Sequence, residues 1–210
     1  MLHKETVTPA TLDLIRKLQA GPELSGFNMA GGTALALMVG HRLSDDIFLF
    51  SQQEFDAEYH AFHLEKSYNF SLQFIHRNTL KGFIGEVFVD ILTHPYPLVG
   101  DLINREGIVL MSLQDNAAMK VSAIAGNGTR SKDFIDIYFL MKKFSLKEII
   151  GFYSFKYSQH NTFHALKSLT YFDDIDASVW PKMMSDEKLT LNKIKKALSI
   201  ALKQYLNDKT

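Results

Sequence analysis

The spacing of hydrophobic residues along the chain changes near Leu113. Before this residue, short apolar runs with the alternation of strands lie between glycine, proline and asparagine residues. After it, apolar residues recur at the three- and four-residue spacing of helices. The pattern therefore predicts an α+β core over residues 1–112, followed by a helical C-terminal region over residues 113–210.

The first half predicts a mixed or antiparallel sheet flanked by helices. Helical spacing or composition is found in segments 9–20, 33–39 and 55–66, and strand-like runs are found in segments 27–29, 47–50, 68–76, 83–92 and 108–111. The runs 68–76 and 83–92 flank Asn78–Gly82. Turn-forming residues there predict one antiparallel hairpin, with the turn at Asn78–Gly82.

The second half predicts five helices. Their expected ranges are 113–125, 132–143, 145–157, 160–171 and 191–206. Gly126 and Gly128 separate the first helix from the second, and Ser145 is a typical N-cap residue for the third. No repeat or low-complexity tract alters this organisation.

Composition narrows the classes of function. The 23 lysine and arginine residues balance the 23 aspartate and glutamate residues, which argues against a general basic coat for gripping nucleic acid. The absence of cysteine excludes disulfides, thiolate metal sites and cysteine nucleophiles. The polar N-terminus and the lack of an apolar run of about 18 residues predict a cytoplasmic protein without a membrane span.

Gly31-Gly32-Thr33 lies at a predicted strand-to-helix junction. Glycines allow a phosphate to approach the backbone, and the first turn of the helix offers backbone N–H groups to an anion. The same residues also suit a tight turn with close packing. Both interpretations remain open on these residues alone.

One aspartate opens a predicted strand, and another lies late in a second one. Alternation puts Asp46 and Phe48 on one face of their strand and Asp45 on the other. Asp90 lies within an apolar run, where a carboxylate is costly unless it is paired or bound to a metal. Asp46 can be a Mg²⁺ ligand or a turn residue, and Asp90 a metal ligand or an end-of-strand residue that reaches water.

Lys120 lies on the first predicted helix of the second half. A lysine that reaches a cleft supplies a point charge for phosphates, although most lysines are simply solvated. Asp133 and Asp136 are three residues apart on one helix face, where they can also pair with Arg130 or Lys132.

The order of these motifs resembles the AbiEii/AbiGii toxin family over nearly the whole chain. The resemblance is carried by Gly31-Gly32-Thr33-Ala34-Leu35-Ala36-Leu37, Gly40-His41-Arg42, Ser44, Asp46, Asp90, Ala118-Met119-Lys120, Lys132-Asp133-Phe134-Ile135-Asp136-Ile137-Tyr138, Ala165-Leu166-Lys167 and Tyr171-Phe172-Asp173-Asp174. It implies a minimal nucleotidyltransferase core of the DNA polymerase beta superfamily, followed by helices.

The resemblance also implies a reaction and its residues. A hydroxyl of an RNA or protein acceptor would attack the α-phosphate of an NTP, with Mg²⁺ stabilising the charge and pyrophosphate leaving. Asp46 and Asp90 would bind the metal, and catalysis would use Asp46, Asp90, Lys120 and Asp136. Nucleotide binding would use Gly31, Gly32, Thr33, Arg42, Ser44, Lys120 and Asp133. An antitoxin protein is the further partner that this family implies.

The sequence departs from the family at two places. Phe48 stands where the second aspartate of an Asp-x-Asp motif is expected, and Asn127 stands where arginine is usual, with Arg130 or Lys132 available to compensate. Because phenylalanine cannot bind Mg²⁺, we expect metal binding to be weak or to depend on nucleotide. Three hypotheses remain: a nucleotidyltransferase of reduced activity, a degenerate nucleotide- or protein-binding module, and a helical interaction protein that uses the fold as a scaffold.

Overall fold

The computed structural model describes residues 1–208. The chain forms two compact units, each continuous in space but not in sequence. The first comprises Met1–Pro97 and Asp101–Met111, and the second comprises Leu98–Gly100 and the chain from Ser112 onward. The short segment Leu98–Gly100 therefore belongs to the helical unit, although strands of the first unit precede and follow it.

The first unit is built on a seven-stranded mixed sheet with strand order β3-β4-β5-β2-β1-β7-β6. The strands are β1 (Asn28–Met29), β2 (Ile47–Ser51), β3 (Ser71–His76), β4 (Thr79–Ile84), β5 (Val87–Thr93), β6 (Ile103–Arg105) and β7 (Ile108–Leu110). The central strand β2 runs antiparallel to β1 and parallel to β5. This mixed sheet flanked by helices confirms the predicted fold class.

Three α-helices belong to the described part of the first unit, along with short 3₁₀ turns at Lys4–Thr6 and Pro22–Leu24. They are α1 (Pro9–Ala20), α2 (Gly31–Val39) and α3 (Ala57–Tyr68). Thr8 caps α1 by accepting a hydrogen bond from the backbone N–H of Thr11, and Pro9 occupies the first turn, where no N–H partner is needed. The start of this helix is therefore encoded locally.

Strand alternation assigns one face of the sheet to the core. Ile47 and Leu49 of β2 are fully buried, as are Val89 and Ile91 of β5. They pack in one hydrophobic cluster with α1 and α2 residues, including Ile15 and Leu37. The residues between them, Phe48 and Asp90 among these, consequently point to the opposite face.

The predicted turn at Asn78–Gly82 is wrong. Asn78, with a φ of +59°, belongs to the turn between β3 and β4, and Thr79–Ile84 forms a strand that pairs with β3 on one side and β5 on the other. Gly82 lies inside this strand because a Cβ there would collide with the backbone oxygen of Ser71. The glycine marks close strand approach and not a turn.

The second unit is helical. Its elements are α4 (Leu113–Gly126), α5 (Ser131–Leu140), α6 (Leu146–Lys156), α7 (Thr162–Ser168) and α8 (Leu191–Asn207). Helix α4 packs against α5, α6 and α7, and α8 packs against α5 and α6. Ser145 and Glu148 form a reciprocal capping box at the start of α6, as the Ser145 signal predicted.

A buried carboxylate organises the start of the helical unit. Asp115 of α4 and Lys156 of α6 are both fully buried, and Oδ1 of Asp115 lies 2.8 Å from Nζ of Lys156. The carboxylate also accepts hydrogen bonds from the backbone N–H groups of Val99 and Gly100 and from the Ser112 hydroxyl. One side chain thus joins two helices and the segment Leu98–Gly100.

None of the helices formed by residues 1–208 combines the length and the apolarity that a membrane crossing requires. The longest, α8, is amphipathic: Ile194 and Leu198 are buried, and lysines occupy its exposed face.

Lys156→Met should destabilise the protein, because it leaves the buried Asp115 carboxylate without a counter-charge. Breaking a buried ion pair typically costs about 3–5 kcal/mol. The measurement is the urea midpoint and the free energy of unfolding, with Lys147→Met, an exposed position on the same helix, as the matched control. Equal stability of the two variants would show that the pair contributes nothing.

Candidate functional site

The Gly31–Gly32 turn begins α2 with a backbone conformation that favours glycine. Gly31 has a φ of +84°, which is strained for residues with a side chain. A Cβ on Gly31 would lie 3.5 Å from the ring of Phe48, in ordinary contact. The requirement for glycine at position 31 is therefore conformational.

Gly32 is required for a different reason. A Cβ there would lie 2.5 Å from Nη2 of Arg42 and 3.3 Å from Oγ of Ser44. Arg42 is 2% exposed, and its Nη1 donates a hydrogen bond to the carbonyl oxygen of Leu43. The missing side chain at Gly32 therefore makes room for a buried guanidinium beside the first turn of α2.

Thr33 ties the start of α2 to the segment that leads into β2. Its Oγ1 lies 2.9 Å from Oγ of Ser44 and 2.5 Å from the backbone oxygen of Asp46. These contacts bring together the predicted nucleotide-binding residues of this unit, which are Gly31, Gly32, Thr33, Arg42 and Ser44.

Charge and backbone geometry at this turn suit an anion. Ala30, the N-cap residue of α2, makes no side-chain cap hydrogen bond, so no side chain satisfies the helix N-terminus from that position. The partial positive charge of the helix start lies beside the Arg42 guanidinium. A phosphate group is the ligand that such an arrangement favours.

The outer face of the sheet carries one of the predicted carboxylates. In the parallel pairing of β2 with β5, Phe48 lies opposite Asp90. Asp46 lies one residue before β2 begins, so strand alternation does not fix its facing as the sequence pattern predicts. Asp46 is exposed. Asp45 accepts a hydrogen bond of 3.3 Å from the backbone N–H of Thr8, which is a structural contact.

Asp90 is a buried carboxylate with a single ion-pair partner among the described residues. It is 5% exposed, and its Oδ2 lies 3.0 Å from Nζ of Lys81 on the neighbouring strand. Its Oδ1 is buried without a hydrogen-bond partner in the same part of the chain. Burial raises the pKa of the Asp90 carboxyl, and the Lys81 ammonium offsets part of this rise.

Lys81 is the residue that sequence reasoning missed at this site. It was assigned to the turn Asn78–Gly82, whereas it lies in β4 opposite Asp90. The available signal was the pair of apolar residues Leu80 and Ile84, which share one strand face with Gly82, and the glycine obscured it.

Phenylalanine rings surround the Phe48 position. Phe48 and Phe88 meet edge to face, with ring centroids 6.5 Å apart, and Phe83 meets Phe88 in the same way at 5.4 Å. Phe83 remains 38% exposed. The face that bears Asp90 is therefore largely aromatic.

These residues do not fit a resident magnesium ion. Within residues 1–208, no group of three or more histidine, aspartate or glutamate side chains is arranged to hold a metal. Phe48 offers no oxygen, and the carboxylate opposite it is already bound by an ammonium group. Asp46, which directly precedes β2, is an exposed carboxylate.

The helical unit contains a second cluster of predicted residues. Nζ of Lys120 lies 2.6 Å from Oδ1 of Asp133 and 2.6 Å from Oδ2 of Asp136, and all three residues are buried. The sequence placed the two aspartates on one helix face, and both contact the same lysine. The Lys120 charge is therefore balanced within the protein.

Arg130 completes this cluster at its exposed side. Its Nε and Nη2 lie 2.8 Å and 2.7 Å from Oδ2 of Asp133. These two contacts to one oxygen fix the guanidinium group against the carboxylate. Asn127, at the place where the family has arginine, instead accepts hydrogen bonds from the backbone and hydroxyl of Thr129. It stabilises the turn between α4 and α5.

Solved structures identify the fold. The chain is similar to a Helicobacter pylori protein described as a proposed nucleotidyltransferase, with a TM-score of 0.56 and 12% identity over 94% of this chain and 95% of that one. It is also similar to the antibiotic-resistance factor ANT(2'')-Ia, with a TM-score of 0.54 and 13% identity over 75% of this chain and 94% of that one. At these identities the likeness establishes a nucleotidyltransferase fold and nothing more.

Sequence comparison places the chain in a family. No family model matches it. It is 34% identical over 160 residues to the uncharacterized protein aq_aa25 of Aquifex aeolicus (strain VF5). The matched residues cover 73% of this chain and 77% of that protein. At this identity and coverage, the chain belongs to the same protein family as aq_aa25 of Aquifex aeolicus.

Proposed function

We propose that this protein binds a nucleoside triphosphate at the Gly31–Thr33 turn. We propose further that it transfers the nucleotidyl group to an RNA or protein acceptor, with activity reduced by Phe48. The observation that carries the proposal is the glycine turn built around the buried Arg42 at the start of α2. The likeness to a nucleotidyltransferase fold supports the assignment of a nucleotide to this turn.

Phosphate recognition would use the backbone and one guanidinium. The first turn of α2 would contribute its dipole and backbone N–H groups, and the buried Arg42 guanidinium would contribute positive charge beside them. Ser44 and Thr33 hold the segment that carries Arg42 against the helix. A displaced Arg42 would therefore weaken triphosphate binding without removing the charge itself.

The reaction in this proposal is an in-line displacement. The acceptor hydroxyl attacks the α-phosphate, a new P–O bond forms, the bond to pyrophosphate breaks, and the hydroxyl proton passes to a carboxylate. Asp90 is the candidate for that carboxylate, because it lies opposite Phe48 in the sheet and burial raises its pKa. Magnesium would arrive bound to the triphosphate as part of the substrate, close to the exposed Asp46.

The cluster around Lys120 would act in the helical unit. With Asp133 and Asp136 it forms a buried, charge-balanced group, and Arg130 extends it to the surface. The family resemblance implies nucleotide binding by Lys120 and Asp133, and catalysis by Lys120 and Asp136. Because both carboxylates already contact Lys120, phosphate contact would require Lys120 to exchange one of these partners.

A second candidate is a degenerate member of the fold that binds nucleotide or another protein without transfer. Phe48 and Lys81 favour it, because together they occupy both sides of Asp90 in the sheet. In either case the AbiEii/AbiGii resemblance leads us to propose a cytoplasmic protein with an antitoxin partner. Co-expression with the product of a neighbouring reading frame tests that partner.

Gly32→Ala should weaken NTP binding by about tenfold or more. Its Cβ would displace the Arg42 guanidinium, and hydrogen bonds to charged groups contribute about 1.5–3 kcal/mol. Calorimetric titration with ATP, GTP, CTP and UTP measures the change. Gly151→Ala is the matched control, since a Cβ there meets nothing within 4 Å. Binding that survives unchanged in Gly32→Ala would remove this turn from the site.

Transfer is tested by incubating the protein with each α-labelled NTP, Mg²⁺, total RNA and total protein. We expect weak labelling of one acceptor, which Asp46→Ala abolishes. Asp45→Asn, one residue earlier in the chain, should retain the activity. Strong labelling that Asp46→Ala leaves intact would show that the carboxylate site is misplaced. NTP binding without any labelling would select the degenerate candidate.

A further inference from the structure

Lys81 occupies a distinctive place in the sheet. Strand pairing aligns Phe74, Lys81, Asp90 and Phe48 in one row across β3, β4, β5 and β2. Partners directly opposite in a sheet share a face, so these four side chains lie side by side. The row contains one carboxylate, one ammonium and two rings.

The electrostatics of this row require a cation at Asp90. A buried carboxylate is costly unless it is paired, and the described residues offer one cationic partner for it, Lys81 at 3.0 Å. The second carboxylate oxygen has no hydrogen-bond partner in residues 1–208. A metal ion at this position would compete with the ammonium for the same carboxylate.

Phe48 deprives a metal at this position of a ligand. It lies directly opposite Asp90 and offers no oxygen to a Mg²⁺ ion held there. Phe48 and Lys81 therefore both disfavour a metal ion beside Asp90. Phe48 offers no ligand opposite Asp90, and Lys81 occupies Asp90 itself.

We propose that Lys81 is a fixed cation that takes the place of a protein-bound metal beside Asp90, so that phosphate charge on this face is balanced by a side chain. Part of this role rests on the proposed function, because it assumes that the triphosphate reaches this face. The ammonium has three N–H donors, of which Asp90 takes one, and the Lys81 side chain is 38% exposed. The remaining donors can reach a phosphate from the open side.

An ordinary cross-strand ion pair makes different predictions. If Lys81 only neutralised Asp90, its removal would change stability but not metal or nucleotide binding. If it replaces a metal, restoring a metal site needs two changes: a carboxylate at position 48 and the loss of the ammonium. Phe48→Asp alone should then hold a metal only weakly.

The deciding experiment measures Mn²⁺ binding without nucleotide by electron paramagnetic resonance. The proteins are wild type, Phe48→Asp, Lys81→Met and the double variant Phe48→Asp/Lys81→Met. We expect the double variant to bind Mn²⁺ at least about tenfold tighter than wild type or either single variant, because it alone has two uncompensated carboxylates at the row. Phe48→Asp/Lys66→Met is the matched control, with the exposed Lys66 of α3 replaced instead.

Three results would overturn the inference. Phe48→Asp that binds Mn²⁺ as tightly as the double variant would show that Lys81 excludes nothing. A folded double variant that binds no Mn²⁺ would show that this row is not a metal position. A control that binds as tightly as the double variant would show that the effect is not specific to Lys81. Phe48→Glu, which fills more of the ring's volume, replaces Phe48→Asp throughout if circular dichroism shows that the aspartate variants do not fold.

A second readout separates this inference from the proposed function. Calorimetry with ATP, GTP, CTP and UTP in EDTA should show binding by wild type that weakens at least about tenfold in Lys81→Met but not in Lys66→Met, because charge-assisted hydrogen bonds are lost. Equal binding by Lys81→Met would overturn the phosphate role. Wild type that binds no NTP with or without Mg²⁺ would overturn the proposed function, whereas the Mn²⁺ result would still decide whether Lys81 replaces a metal.

Discussion

The register between β2 and β5 is the constraint on which the rest of this structure depends. It buries Ile47 and Leu49 with Val89 and Ile91 on one face, and it thereby commits the intervening residues to the other. A slip of one residue would exchange the core for the outer face. The position of Phe48 opposite Asp90 is therefore inseparable from the hydrophobic core that stabilises the fold.

Lysine–aspartate pairing recurs at the buried aspartates of the described residues. Asp90 contacts Lys81, Asp115 contacts Lys156, and Lys120 contacts two aspartates of α5. Each pairing satisfies a group that would otherwise be too costly to bury. A chain with equal numbers of acidic and basic residues can in this way contain strongly charged clusters without a basic surface. At Asp90 this pairing has a chemical consequence, because a carboxylate that is bound to an ammonium group is less available to a metal.

Local signals predicted those elements whose ends are encoded by a few neighbouring residues. Thr8 and Pro9 mark the start of α1, and Ser145 with Glu148 marks the start of α6, because caps satisfy backbone groups within one turn. Gly82 gave a misleading local signal. Its role is to let β3 pass close to β4, which depends on a residue eleven positions earlier and is invisible in the local pattern. One strand of the sheet was consequently missed.

The sequence by itself determined the chemistry available at the candidate site: the glycines of the α2 turn, the carboxylates Asp46 and Asp90, and a phenylalanine that cannot bind a metal. Residue type is a property of each position, and strand alternation needs only local order. Which charge neutralises Asp90 was decided by the tertiary structure, since strand pairing brings Lys81 to it across a hairpin. Local composition assigned that lysine to a solvated turn. Only the pairing of β4 with β5, stabilised by burial on the opposite face of the sheet, brings its ammonium to the buried carboxylate.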